Sequence, residues 1–327
     1  MTEMTERVNP LLQIDTVFRT YLNAYTRSCQ SHVIEGNLDY AFESDFAVRQ
    51  KILGLSGWNR LLKTIDTQDV SAEAKHLFLK CDQAGPLKYP DIYDIVKKCS
   101  ERLELNQPIV FVRDDLDKEL IYSISSSIIE PCIVLTKQLV DMCTADELTF
   151  LIGSECGRVQ NNHCAFNMAF TYLNYNKYVY KPANRSYNQP VSRQLYSALV
   201  QWVKYADITA NRAGMICLDN PGRYIDIVSG LFAKGYRDFY GRKQKDIDYA
   251  QLTLKAKEIH SVSSRDLSIE SKYTELERGI LAVNEFLYCQ TLYVWRKDLV
   301  KDAEHSIESG QVCDVRTGII LGNGGQL

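Results

Sequence analysis

Residues 144–163 read TADELTFLIGSECGRVQNNH. Thr144 and Glu147 stand three apart, ahead of an apolar run. At that spacing the Thr hydroxyl accepts the N–H of the third helical residue, and the Glu carboxylate returns to the Thr N–H. The segment therefore predicts a helix that begins at residue 145 and continues to about Cys164. Three polar side chains, Ser154, Glu155 and Arg158, sit within one turn of one another in its second half.

The flanking pattern mixes strand and helix. Residues 91–105 (DIYDIVKKCSERLEL) form an amphipathic helix. Pro108 then introduces IVFVR, an apolar β-branched strand at 109–113. Residues 119–127 (ELIYSISSS) alternate as a second strand, with Leu120, Tyr122 and Ile124 on one face, and CIVLT at 132–136 is a third. Thr136 leads into a short helix, KQLVDMC. Beyond residue 164, a Tyr-rich connection with Pro182 and Pro190 leads to a long helix from Arg193 to about Leu218, stopped near Asn220 and Pro221. Further helices fill the chain to about residue 300, and the GNGGQL end reads as loose.

Upstream, residues 10–85 look mostly helical. Leu11, Leu12, Ile14, Val17, Phe18, Tyr21 and Leu22 recur at helical spacing. Ile52, Leu53, Leu55, Trp58, Leu61 and Leu62 mark a second stretch, weakened by Gly54 and Gly57. Gly85–Pro86 and Pro90 mark a boundary. The expected organisation is a helical N-terminal region at 1–88, a main domain at 89–300 and a C-terminal tail at 301–327. The fold class is α+β, mainly helical, with a small mixed β-sheet.

Composition narrows the function classes. Lys+Arg 38 against Asp+Glu 41 gives a net charge of -3, so no large basic field marks the chain for nucleic acid or anionic lipid. The first 13 residues carry Glu3 and Glu6 and are not followed by an apolar core, which argues against a secretory signal. Apolar stretches fall far short of the roughly 20 residues a membrane span needs. The ten cysteines include no CxxC pair, the pattern of buried free thiols rather than a zinc ribbon or thioredoxin motif. Together these predict a soluble, cytoplasmic protein with no membrane span and no nucleic-acid partner.

The order of elements, with the capped helix and the long helix after it, resembles the HtpX-like zinc metallopeptidases. That gluzincin family also contains the CAAX prenyl endopeptidases. The resemblance covers residues 90–235, more weakly to about 295, and nothing in 1–85 matches it. It implies a gluzincin-like metallopeptidase domain. In that family the capped helix carries HExxH, two zinc-binding histidines one turn apart with a glutamate as general base. The later helix carries ExxxAD or a close relative, supplying the third ligand and an Asp that steadies a ligand histidine.

DELTFLIGSECGRVQNNH follows the family's DELxxVLAHELGHIxxxH almost position for position. Ser154 replaces the first ligand histidine and Arg158 the second. Glu155 retains the general-base position, and Gly157 the helix-packing glycine. On the later helix, ALVQWVKYADITANRAG follows ALxxWxRxAExSADRAG. There Asp207 stands at the third ligand position, Asn211 at the second-shell Asp, and Arg212 beside it. Of the five metal-centre positions, only Glu155 is unchanged.

These residue types are poor hosts for zinc. Ser154 is a weak neutral ligand, and Asp207 is one methylene shorter than Glu. A charge such as that of Arg158 about 4 Å from a like charge costs roughly 4 kcal/mol at an effective dielectric near 20, and a divalent ion about doubles that. His163 lies about 12 Å beyond Glu155 along a straight helix and cannot share an ion with it. His32, His76, His260 and His305 have no partner at ligand spacing. No metal and no cofactor is therefore expected; zinc enters only under the competing reading of an active metalloendopeptidase with a rebuilt site.

Loss of a divalent cation leaves Glu155 and Asp207 facing each other unpaired, which is costly in a buried setting. Arg158 can fork to carboxylates, and its i,i+3 spacing from Glu155 permits pairing on one helix. The residues thus predict a salt-bridge cluster in place of the metal. Cys156 is turned about 100° from Glu155 and reads as a structural thiol, not a nucleophile. Ser154 lacks a base, because Arg158 cannot act as one. The Tyr172, Tyr175, Tyr178, Tyr180 series, with Lys177, Lys181 and Arg185, reads as base-stacking surface, groove lid or core, with base stacking the weakest of the three. The resemblance makes the second strand (Leu120, Tyr122, Ile124) the edge that aligns an extended peptide. The expectation is a catalytically inactive, metallopeptidase-like protein that binds a protein or peptide partner through the old groove. A purely structural subunit is the third reading.

Overall fold

The computed structural model describes residues 32–34, 36–66, 70–117, 120–126, 129–179, 190–236, 247–299 and 307–322. A mixed four-stranded sheet lies at its centre, in the order β3 (Asp82–Gln83), β4 (Ile109–Arg113), β6 (Cys132–Thr136), β5 (Ile121–Ile124). β4 and β6 are parallel; β3 and β5 run antiparallel to their neighbours. All five residues of β6 are buried, which is why its sequence is a continuous apolar run without alternation. Val110, Ile133, Leu135 and Ile121 feed the larger core on one face of the sheet. Phe111, Val134, Cys132 and Ile124 join Trp58, Phe166, Leu199 and Trp202 in a second core on the other.

Helices cover both faces, so the mainly helical α+β expectation holds. The N-terminal region contributes α1 (Glu43–Leu53), α2 (Trp58–Ile65) and α3 (Ser71–Lys80). The stretch expected around Ile52 to Leu62 is two helices. They part between Gly54 and Gly57, whose φ of 89° is open to glycine at little cost. A small hairpin, β1 (Val33–Ile34) with β2 (Asn37–Leu38), was not anticipated. The helical pattern read at residues 10–31 lies outside the described residues.

α4 (Pro90–Arg102) leads to the sheet, which is followed by α5 (Lys137–Met142) and then α6 (Ala145–Gln160). Both halves of the capping box on α6 are present, from Thr144 and Glu147. The helix stops at Gln160, earlier than the sequence suggests. Asn162 takes a left-handed φ of 58°, a conformation Asn tolerates better than most residues, and the chain restarts as α7 (His163–Val179). The start of the Tyr-rich connection is therefore helix. The side chains of Tyr175 and Tyr178, and residues 180–189, lie outside the described residues. α8 (Pro190–Cys217) follows, opened by a proline whose missing N–H is no loss in the first turn. α9 (Tyr224–Ala233), α10 (Tyr249–Ser261), α11 (Glu275–Asn284), α12 (Gln290–Trp295) and α13 (Gly310–Ile320) complete the helices.

Packing crosses both expected boundaries. Tyr40 and Phe42 are buried in the same core as Val283 and Phe286, and β3 hydrogen-bonds to β4, so no break in packing falls at residue 88. The segment read as a tail contains α13, whose Cys313 and Ile320 are buried. Residues 301–306 and 323–327 lie outside the described residues. Among the described residues, no helix is long and apolar enough to cross a membrane.

Candidate functional site

α6 and α8 lie against each other at a separation only small residues allow. A Cβ on Gly157 would stand 2.3 Å from the Cβ of Ala213, and one on Gly153 2.6 Å from that of Cys217. From the α8 side, a Cβ on Gly214 would stand 2.5 Å from the Ser154 hydroxyl. This close approach sets the side chains of residues 154, 155 and 158 directly against those of 207 and 211.

Arg158 lies between the two carboxylates. Its Nε donates to Glu155 Oε1 at 3.1 Å, and its Nη2 donates to Asp207 Oδ1 at 2.6 Å. All three side chains are buried. The guanidinium bridges α6 to α8 across the position that the family resemblance assigns to the metal. Ser154 donates to the carbonyl of Phe150 at 2.9 Å and lies 3.4 Å from Asn211 Oδ1. The residues at the first-ligand and second-shell positions thus still touch, without an imidazole or a carboxylate.

Burial pushes the Glu155 carboxyl up from its ordinary value. Arg158 and the nearby Ser123 hydroxyl oppose that shift, and Asp207 reinforces it. Burial, with Asp207 close by, likewise pushes the Tyr224 phenol up. A cavity of about 150 Å³ opens onto this cluster. Glu155, Arg158 and Asp207 form its floor, and α9 and α11 supply walls that include Tyr224, Phe232 and Ile280.

The donor set does not fit zinc. The position between Glu155 and Asp207 is filled by a guanidinium, which has no lone pair to offer and carries the wrong charge. Among the described residues, no cluster of three His, Cys, Asp or Glu side chains is placed to hold a metal ion. His163, the histidine nearest in sequence, is buried and faces Asp45 at 2.9 Å. The Cys156 thiol is also buried, and its surroundings push it well above its ordinary value, the opposite of what a nucleophile needs.

Arg212 and the expected β5 residues lie elsewhere. Arg212 adjoins Asn211 in sequence but is turned about 100° around α8. It donates to Asp314 Oδ1 at 2.7 Å and to Thr317 Oγ1 at 3.0 Å, and so fastens α13 rather than the site. On β5, the alternation that groups Tyr122 with Ile124 directs both away from α6. The Tyr122 hydroxyl bonds to Glu73 and to Arg113, and Ile124 is buried in the second core. Leu120 is half-buried beside the strand, its N–H donating to Thr136. Ser123, on the opposite face, is the β5 side chain that approaches Glu155, and it also accepts a hydrogen bond from the Cys164 thiol at 3.5 Å. β5 nevertheless stands at the edge of the sheet.

Sequence reasoning also missed a second buried polar centre, on α1. Asp45 accepts from Trp202 Nε1 at 2.7 Å, Thr209 Oγ1 at 2.8 Å, Arg49 Nε at 3.2 Å and His163 at 2.9 Å. Burial alone raises its carboxyl, but His163, Arg49 and Thr209 outweigh that and hold it well below the usual range. His163 is pushed down by burial, against the pull of Asp45. Trp202 and Thr209 flank Asp207 on α8, so this centre braces the site from behind. His163, Trp202 and Thr209 each lie over a hundred residues from Asp45 in sequence, so local spacing signals only its pairing with Arg49.

A degenerate HExxH helix, a following helix that carries its partner positions and a small mixed sheet beside them define a metallopeptidase-like chain. Residues 92–261 match the profile of Peptidase family M48, just over half of the chain, and the chain belongs to that family. It is also similar to the Plastoglobule-localized metallopeptidase 48, chloroplastic, of Arabidopsis thaliana. The two are 23% identical over 141 residues, which span 43% of this chain and 40% of that protein's length. No solved structure was matched.

Proposed function

We propose that this chain is a catalytically inactive member of its peptidase family, a pseudopeptidase that binds a protein or extended peptide partner through the former substrate groove. The observation that carries the reading is Arg158, seated between Glu155 and Asp207 where a catalytic ion would have to bind. Without a bound ion, Glu155 has no activated water to deprotonate, and burial favours its neutral form. The edge position of β5 beside α6 supports the peptide-binding part, since an edge strand offers backbone groups to an incoming strand. The free thiols among the described residues suit a reducing, cytoplasmic setting. The charge balance argues against nucleic acid as the partner.

Metal analysis of the full chain, purified from zinc-supplemented cells, tests the first part. The expected result is far less than one zinc per chain and no hydrolysis of an unstructured protein substrate. Stoichiometric zinc, with hydrolysis lost in Glu155→Gln, overturns the reading in favour of an active metalloendopeptidase. For the second part, peptides selected from an extended-peptide library should bind and should lose binding when alternate backbone nitrogens are methylated. If no peptide is selected from a metal-free protein, the chain is a structural subunit instead.

A further inference from the structure

One pair of cysteines departs from the rest. Burial pushes the thiols of Cys81, Cys132, Cys143, Cys156, Cys164 and Cys217 up, the inert condition of a structural thiol. Cys289 and Cys313 are also buried and free, but they face each other: the Cys313 thiol donates a hydrogen bond to the Cys289 sulfur. The backbone brings them together. Cys289 directly precedes α12, where the Gln290 N–H donates to the Glu308 carbonyl at 2.8 Å and the Glu308 N–H donates to the Tyr288 carbonyl at 2.8 Å. Ser309 then caps α13, and the Cys313 N–H donates to its carbonyl at 3.0 Å, which places Cys313 one turn on from that contact.

The surroundings favour a thiolate. Arg212 Nη2 donates to Cys313 Sγ at 3.6 Å, and its buried guanidinium also favours negative charge on Cys289. Thr291 adds its hydroxyl and its backbone N–H as donors to Cys289. The opposing charge nearby, Asp314, is taken up by Arg212 Nη1 at 2.7 Å. The Cys313 hydrogen bond, with Arg212 and Thr291, outweighs burial and holds the Cys289 thiol below its ordinary value. Exposed Gln290 and Val312 adjoin the two cysteines in the chain, so the pair lies one residue beneath the surface, close to an oxidant little larger than water.

We propose that Cys289 and Cys313 form a redox modification site, in which hydrogen peroxide oxidises Cys289 and Cys313 resolves the product to a disulfide. The Cys289 thiolate attacks one peroxide oxygen and breaks the O–O bond, giving a sulfenic acid and hydroxide. Hydroxide takes the Cys313 proton, and the Cys313 sulfur displaces hydroxide from the sulfenic sulfur. In sum, two thiols and one peroxide give one disulfide and two waters, each sulfur giving up one electron. In a reducing compartment the bond is transient, removed again by thiol reductants. It ties α13 to the residue before α12, and Leu321, at the end of α13, lines the cavity, so oxidation also stiffens one cavity wall. The site is separate from the Arg158 cluster and does not depend on whether that cluster or a metal fills the old active centre.

The test is a peroxide titration of the full-length, reduced protein at pH 6.5, mapped by peptide mass spectrometry after the remaining thiols are alkylated. The 289–313 disulfide should form about tenfold or more faster than any modification of Cys81 or Cys143, although those two are the less buried thiols. Dithiothreitol should reverse it. In Cys313→Ser, Cys289 should stop at the sulfenic acid and be trapped by dimedone. Hydrogen exchange in α13 of the oxidised protein should slow about tenfold or more, because the link closes a loop in every opened state. Faster oxidation of Cys81 or Cys143 overturns the proposal, as does oxidation of Cys289 without linkage to Cys313, linkage only in denaturant, α13 exchange that the disulfide leaves unchanged, or a folded Cys313→Ser protein without the dimedone adduct. The wild-type mapping decides by itself, so the test stands even with a Cys313→Ser protein that fails to fold.

Discussion

Arg158 does two opposite things at once: it adds a third charge to a buried site, and it makes the other two tolerable. Removing it should therefore cost far more than an ordinary truncation. Arg158→Ala leaves two buried carboxylates without a counter-charge and should lose about 3–5 kcal/mol in denaturant unfolding. Arg158→Met combined with Glu155→Gln and Asp207→Asn should recover most of that loss. Glu155 itself titrates in the sense of a raised group. The fold favours its protonated form, so its contribution is complete below the unfolded value of 4.5 and is lost as pH rises through the folded value. Glu155→Gln should then gain stability relative to wild type as pH is raised above 4.5 in denaturant titrations. Asp45 and His163 run the other way. Both are held below their ordinary values of 3.8 and 6.5, so stability falls as pH drops beneath 6.5 for the histidine and beneath 3.8 for the aspartate. The thermal midpoint of wild type should fall more steeply from about pH 7 to about pH 5 than that of His163→Gln. At this scale the Arg158 cluster was legible because i,i+3 spacing and a motif alignment fix its members. Asp45 and Ser123 were not, because Asp45 meets His163, Trp202 and Thr209, and Ser123 meets Cys164, across the fold.

At the scale of elements, the α6–α8 contact decides whether the site exists. Small residues at 153, 157, 210, 213 and 214 let the helices approach, and the largest penalty falls where a new Cβ meets another. Gly157→Ala should destabilise by about 1–3 kcal/mol through overpacking. Gly318→Ala, in a helix with open space around it, should stabilise by about 0.5–1 kcal/mol in the same assay. The capped start of α6 and the strands IVFVR and CIVLT could be read from sequence, because capping and β-branched runs are local signals. The end of α6 could not. Its stop depends on Asn162 taking a left-handed turn so that His163 can reach Asp45, and that reward is set by α1. The two-residue β3 lacks any pattern of its own and exists because β4 offers it an edge.

For the molecule as a whole, the ends of the described chain are built into its middle. Arg212 on α8 bonds Asp314 on α13, and Asp314 also accepts the Glu43 N–H at the start of α1. Asp314→Ala leaves the Arg212 guanidinium buried without its carboxylate and should cost about 3 kcal/mol. Hydrogen exchange should show faster opening in both α13 and the first turn of α1, two segments 271 residues apart. Gly85–Pro86 and Pro90 placed a boundary near 88, but a turn signal marks a change of direction and not a change of core.

Arg158 is a cation tethered to its own backbone. An enzyme that borrows its positive charge from solution is hostage to supply, and starvation or a chelator empties it. On the pseudopeptidase reading, this chain leaves the ribosome with its charge already attached and needs no metal delivery, and EDTA should leave its melting temperature unchanged. The same tether closes the way back. A single Arg158→His change would remove the counter-charge before any ion could replace it, so on that reading a route to catalysis would have to cross an unstable intermediate.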